Sequence, residues 1–102
     1  MNIMICDDQK DELENIKRVV LEYAKVHQEL LIKVNSFFDP FDMLGEINKN
    51  GVPDIALLDI CMPGILGTEL AKELQDRSGG NTDIIFLTTS SDFAVEAFAL
   101  HV

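Results

Sequence analysis

The 102-residue sequence has no tryptophan, one tyrosine, three prolines and two cysteines, and only eight lysines and arginines against eighteen acids. The few cysteines and the few basic residues each exclude something. Two cysteines, Cys6 and Cys61, make neither a disulfide framework nor a zinc knuckle, and a reducing cytoplasmic setting suits them. A formal charge of −10 repels phosphate backbones and anionic lipid, so direct contact with nucleic acid or membrane is not expected. No apolar run reaches the roughly 18 residues of a membrane helix. "MNIMIC" runs into Asp7-Asp8 without the basic start or long apolar stretch of a secretory signal. What remains, 47% hydrophobic and 25% charged residues, is the composition of one soluble domain with a modest core.

Within it, short apolar runs alternate with helical periodicity. "NIMIC" reads as a strand. Leu13, Ile16, Val20, Tyr23 and, more loosely, His27 then recur at helical spacing. Asp11 and Glu14 have capping-box spacing, with Asp8 as the alternative helix start. "LLIKVNSFF" alternates over part of its length and reads as a strand near a sheet edge. Asp39-Pro40 supplies an N-cap and a first-turn proline to a helix expected to turn Phe41, Leu44 and Ile47 to one side. "DIALLDI" and "DIIFLTT" are expected to be buried strands. Between them "GTELAKELQDR" is a helix with Leu70, Ala71 and Leu74 inward, and "SSDFAVEAFALHV" is a last, largely apolar helix. The order βαβαβαβα predicts one α/β domain, a doubly wound parallel sheet covered by helices on both faces.

In such sheets ligands bind beyond the carboxyl ends of the strands. Three of these strands end in polar groups: Asp7-Asp8, Asp59 and Thr88-Thr89. Asp59 closes the run Ile55-Ala56-Leu57-Leu58 at a place where burial penalises a charge. It is too far ahead of the next helix, which cannot begin before Gly64, to serve as its cap. Three converging carboxylates repel at a cost of about 4 kcal/mol per pair at 4 Å and an effective dielectric near 20. Such a cluster takes up a proton or a divalent cation, and an oxygen-only ligand set favours Mg²⁺. A carboxylate beside Mg²⁺ can attack phosphorus to give an acyl phosphate. Thr88 offers a hydroxyl donor to phosphoryl oxygens.

"CDDQ", "LLDICMPG" and "FLTTSSDFAVEAF", in this order, resemble the response-regulator receiver domain of bacterial two-component systems, the CheY-like fold with strand order 2-1-3-4-5. The last segment is most similar to receivers that precede a LytTR-type DNA-binding domain. The resemblance implies that Asp59 is the phosphoacceptor for a sensor histidine kinase. It implies that Asp8, Asp59 and the backbone carbonyl of Cys61 bind Mg²⁺, with Asp7 acting through a water, and that Thr88 hydrogen-bonds the phosphoryl group and relays the phosphorylated state. A receiver is a switch rather than a turnover enzyme.

The family also has a fifth strand, bearing an aromatic switch residue and a lysine, and a fifth helix. The sequence reads as a receiver over 1–102 truncated before them, with Lys72 a surface charge. Its fourth strand would then be an edge open to a homodimer or to exchange of a strand or helix between copies. Leu66 stands where the family often has Asn or Asp, so the third helix is expected to be poorly capped. Two other functions use the same residues. A Mg²⁺-dependent phosphohydrolase with an aspartyl nucleophile needs Asp-x-Asp where this chain has Asp7-Asp8-Gln9, and a pseudo-receiver that only binds partners needs no complete acid set.

Overall fold

A computed structural model describes residues 1–60, 62 and 64–87. The last helix expected from "SSDFAVEAFALHV" lies outside them. The described elements are β1 (Asn2–Cys6), α1 (Lys10–Val26), a 3-10 turn at Gln28–Leu30, β2 (Lys33–Phe37), α2 (Pro40–Asn50), β3 (Ile55–Asp59), α3 (Gly67–Ser78) and β4 (Asp83–Leu87). All pairings are parallel and the sheet order is β2-β1-β3-β4. This is the doubly wound order expected, and no fifth strand occurs among the described residues.

The pleat sorts the strand side chains onto two faces. Met4, Cys6, Ala56, Leu58 and Ile84 face α2 and α3, and join Met43, Ile47, Leu70, Ala71 and Leu74 in the larger core. Ile3 and Ile5 face α1 and pack with Leu13, flanked by Ile16, Val20, Ile55 and Leu57. Leu70 and Leu74 are fully buried, each contributing about 1.5–3 kcal/mol of transfer free energy. The inward stripe expected of α3 is therefore present.

Three expectations shift. Tyr23 is half exposed and stacks on His27, ring centroids 4.1 Å apart, instead of entering the core. In α2 the buried residues are Pro40, Met43 and Ile47, and Phe41 is 55% exposed. Of the expected stripe Ile47 is buried and Leu44 packs at the core's edge, so Phe41 is the residue that the stripe leaves out. β4 is buried at Ile84 but half exposed at Ile85, because successive residues of a strand alternate faces and the α1 side is less covered there.

The helix ends are only partly as read. Asp39 caps α2, its Oδ1 accepting from the Phe41 amide at 2.8 Å. Gly79 closes α3 in the left-handed region at φ 64°. α1 begins at neither Asp8 nor Asp11: its N-cap is Gln9, without a side-chain cap. Leu66 is the N-cap of α3 and has no side-chain acceptor, so the capping there is one-sided, Glu69 Oε1 reaching back to the Leu66 amide at 3.4 Å.

Candidate functional site

The register of the sheet builds the site. Cys6 pairs with Phe37 on one side and Leu58 on the other, so the next residue along, Asp7, comes level with Asp59 at the carboxyl end. The Asp7 amide donates to the Phe37 carbonyl at 3.1 Å, extending the β1–β2 ladder by one step. Asp8 follows in the link to α1. One carboxylate oxygen from each of Asp7, Asp8 and Asp59 lies within 4.8 Å of the others. The sequence reading expected these three residues to converge, and they do. Cys61 and Thr88, named with them, lie outside the described residues.

Asp7 is fully buried and Asp8 and Asp59 are half-buried. Asp7 does not cap α1; its Oδ1 accepts the Gln9 amide at 2.9 Å in a tight local turn. That bond occupies one oxygen. Among the described residues no donor reaches the other, Asp7 Oδ2, or Asp8 Oδ1, and both are buried. Buried carboxylate oxygens left bare are costly, and here two of them stand in a cluster of negative charge.

The electrostatics follow. Burial pushes the Asp7 carboxyl above its ordinary range against the opposing Gln9 amide; Glu12, by its charge and by a hydrogen bond that favours protonated Asp7, and the charge of Asp8 push the same way as burial. Burial, with Asp39 and the three site aspartates adding to it, pushes the Cys6 thiol up to about 12. A thiol so held is protonated at neutral pH and is a small packing group rather than a nucleophile. Its Sγ meets Met62 Sδ at 3.5 Å.

At 4.8 Å the repulsion between two ionised carboxylates is about 3.5 kcal/mol at an effective dielectric near 20. A divalent cation removes that repulsion and supplies the orphaned oxygens with a partner. Hard oxygen donors, partly open to solvent, fit Mg²⁺. On the donor chemistry and on the two bare oxygens, the residues present fit this ion.

The segment after Asp59 leaves the strand and returns to it. The Gly67 amide donates to the Ile60 carbonyl at 2.7 Å, tying the start of α3 to the residue that follows β3. Ile60 and Met62 are buried, and Gly64 sits at φ 90°, a backbone conformation that favours glycine. The ring of Phe41 lies over Gly64: a Cβ added there would stand 2.9 Å from Phe41 Cε2 and 3.7 Å from Cζ. Neither Gly67 nor Phe41 stands out in the sequence as part of this site. The glycine spacing of "GILGTEL" is the one signal available for Gly67, and periodicity assigns Phe41 to the core.

Comparison with known proteins agrees with this fold. Residues 3–102 match the family model described as the response regulator receiver domain. The chain is 31% identical over 102 residues to the transcriptional regulatory protein NatR of Bacillus subtilis, covering 100% of this chain and 41% of that protein. It is 34% identical over 100 residues to the positive alginate biosynthesis regulatory protein of Pseudomonas aeruginosa, covering 96% of this chain and 37% of that one. The chain thus spans about two fifths of the length of these relatives. Among solved structures, a response-regulator receiver domain protein from Clostridium thermocellum superposes with a TM-score of 0.76 at 23% identity, over 98% of this chain and 74% of that one. The BeF3-activated DrrB receiver domain gives 0.70 at 19% identity, over 99% and 78%. At these identities the structural likeness speaks for the fold.

Proposed function

Because the chain belongs to the response-regulator receiver family, we propose that it is a phosphoacceptor switch in which Asp59 takes a phosphoryl group from a sensor histidine kinase. The observation that carries the proposal is the meeting of Asp7, Asp8 and Asp59 within 4.8 Å, with two of their buried oxygens lacking a donor among the described residues. Asp59, the last residue of β3, is the nucleophile in this reading, as its resemblance to the family's phosphoacceptor position implies. A carboxylate oxygen of Asp59 attacks phosphorus, the bond from phosphorus to the donor nitrogen breaks, and an acyl phosphate forms on the strand tip. Asp8 and Asp59 would hold Mg²⁺ directly, with the Cys61 carbonyl as a third ligand and Asp7 acting through water. Bound there, the ion would offset the negative charge of the carboxylates and of the arriving phosphoryl oxygens. Thr88 would donate its hydroxyl to a phosphoryl oxygen and carry the change to the surface.

The receiver serves as an input module rather than a turnover enzyme in this reading, and the relatives' greater length leaves room for an output domain, which we assign to the LytTR DNA-binding type. The chain's −10 charge keeps nucleic-acid contact with that output domain. No described helix is long and apolar enough to cross a membrane, and a cytoplasmic location suits a kinase partner.

Incubation with Mg²⁺ and acetyl phosphate, read by intact mass, tests the proposal. One hydrolysable phosphoryl group is expected on the wild type and none on Asp59→Asn. Continuous release of phosphate without an adduct would instead identify a phosphohydrolase. A wild type that never reacts would be an interaction module.

A further inference from the structure

Phe41 is a large apolar side chain, 55% exposed, on a helix whose core contacts are made by Pro40, Met43 and Ile47. Burial in the core does not account for it. Its backbone is nonetheless fixed twice, by the Asp39 cap on its amide at 2.8 Å and by the proline before it in the first turn. The ring is thereby directed onto Gly64 of the loop that follows Asp59.

That loop starts and finishes against Asp59. Its neck is the bond from the Gly67 amide to the Ile60 carbonyl, and Gly67 itself packs on the Asp59 and Ile60 backbone. From inside, Met62 anchors it on Cys6. From outside, the described residue placed over Gly64 is Phe41. We propose that Phe41 is a positioning residue for the carboxylate site: by packing on Gly64 it holds that residue, and with it the neck between Gly67 and Ile60, in place, and so fixes Asp59 relative to Asp7 and Asp8. The metal-affinity part of this proposal rests on the Mg²⁺ reading above, whereas the loop-ordering part does not. The contact is apolar and needs a flat ring, so Tyr should replace Phe and Ala should not.

The experiment compares Phe41→Ala, Phe41→Tyr and wild type in the 102-residue chain. Without metal, amide hydrogen exchange of Gly64 to Gly67 is measured against that of β1 and α3. Expected is faster exchange confined to the loop in Phe41→Ala, wild-type exchange in Phe41→Tyr, and melting temperatures close together because the ring is half exposed. With Mg²⁺ added, equilibrium titration should show affinity about 3- to 10-fold weaker in Phe41→Ala, less than for outer-shell groups that hydrogen-bond a ligand directly, and restored in Phe41→Tyr. Unchanged loop exchange in Phe41→Ala would overturn the positioning role, as would equal losses in the Ala and Tyr variants. A wild type that binds no Mg²⁺ while Phe41→Ala still frees the loop would remove the metal reading and leave the loop contact standing.

Discussion

Gly67 rests on the backbone carbonyl of Asp59 so closely that a side chain has nowhere to go. A Cβ built on Gly67 overlaps the Asp59 carbonyl oxygen and lies 2.8 Å from the Ile60 Cα. The obstacle is backbone, the carbonyl group of Asp59 and the Cα that follows it, and backbone cannot swing aside as a side chain does. α3 can therefore begin where it does only with glycine in its first position.

Gly67→Ala should destabilise the fold by about 2 kcal/mol or more, at the upper end of overpacking costs because strand and helix must separate. Gly45, exposed in the interior of α2 with open space around its Cβ position, is the control. Gly45→Ala should stabilise by about 0.5–1 kcal/mol through helix propensity. Urea unfolding of both variants checks the pair, and similar effects of the two would refute the close approach.

The three aspartates should differ as metal ligands. Asp7 spends one oxygen on the Gln9 amide, and its expected contact with the ion is through water. Asp8→Ala should weaken Mg²⁺ binding strongly and Asp7→Ala less, by calorimetric titration. Wild-type affinity in Asp8→Ala would dismiss the site.

Burial raises the Asp7 carboxyl above its ordinary value of 3.8, so between that value and the higher folded one the native state binds more protons than the unfolded chain. Stability from this group is full below the ordinary value and declines as pH rises through the folded value. Without divalent ions Asp7→Asn should consequently melt higher than wild type at pH 7, with the gap closing towards pH 3.8. Mg²⁺ should raise the wild-type melting temperature and leave Asp7→Asn less affected. A lower melting temperature for Asp7→Asn across this range would count against the charge argument.

Among the described residues β4 pairs with β3 alone, and Ile85 projects half exposed from it. Asp83, the one charged residue of "DIIFL", stands at its start and leaves most of the edge unguarded. The 102-residue chain should associate weakly with rising concentration, more so at high salt, which screens its −10 charge. Ile85→Lys should suppress this in light scattering. Association unaltered by that substitution would place the contact elsewhere.

The strand tips and their acids were readable from the sequence because parallel pairing brings strand ends together whatever the core does in detail. Met4, Cys6, Ala56 and Leu58 needed only the pleat to find their face. Where one side chain had two possible uses, the pattern alone could not choose. Asp7 and Asp8 had the composition of a helix cap, yet Asp7 bonds the Gln9 amide ahead of the helix. Phe41 fitted a helical stripe, yet the stripe leaves it out and its ring lies over Gly64. Gly67 was marked only by the glycine spacing of its segment, because its requirement comes from a backbone that is distant from it until the chain is folded.

The shared level of Asp7 and Asp59 also decides where this chain can change in length. Both carboxylates are counted from the Cys6–Leu58 pairing, so a residue gained or lost within Ile55–Leu58 would replace an acid by an apolar neighbour at the rim and turn its side chain to the other face. At the opposite end of the sheet, Gly51 and Gly79 are exposed with open space around them. Insertions there would lengthen a loop at small entropic cost and leave the acid rung untouched. Length is thus free to drift at the floor of the sheet and held to the single residue at its roof.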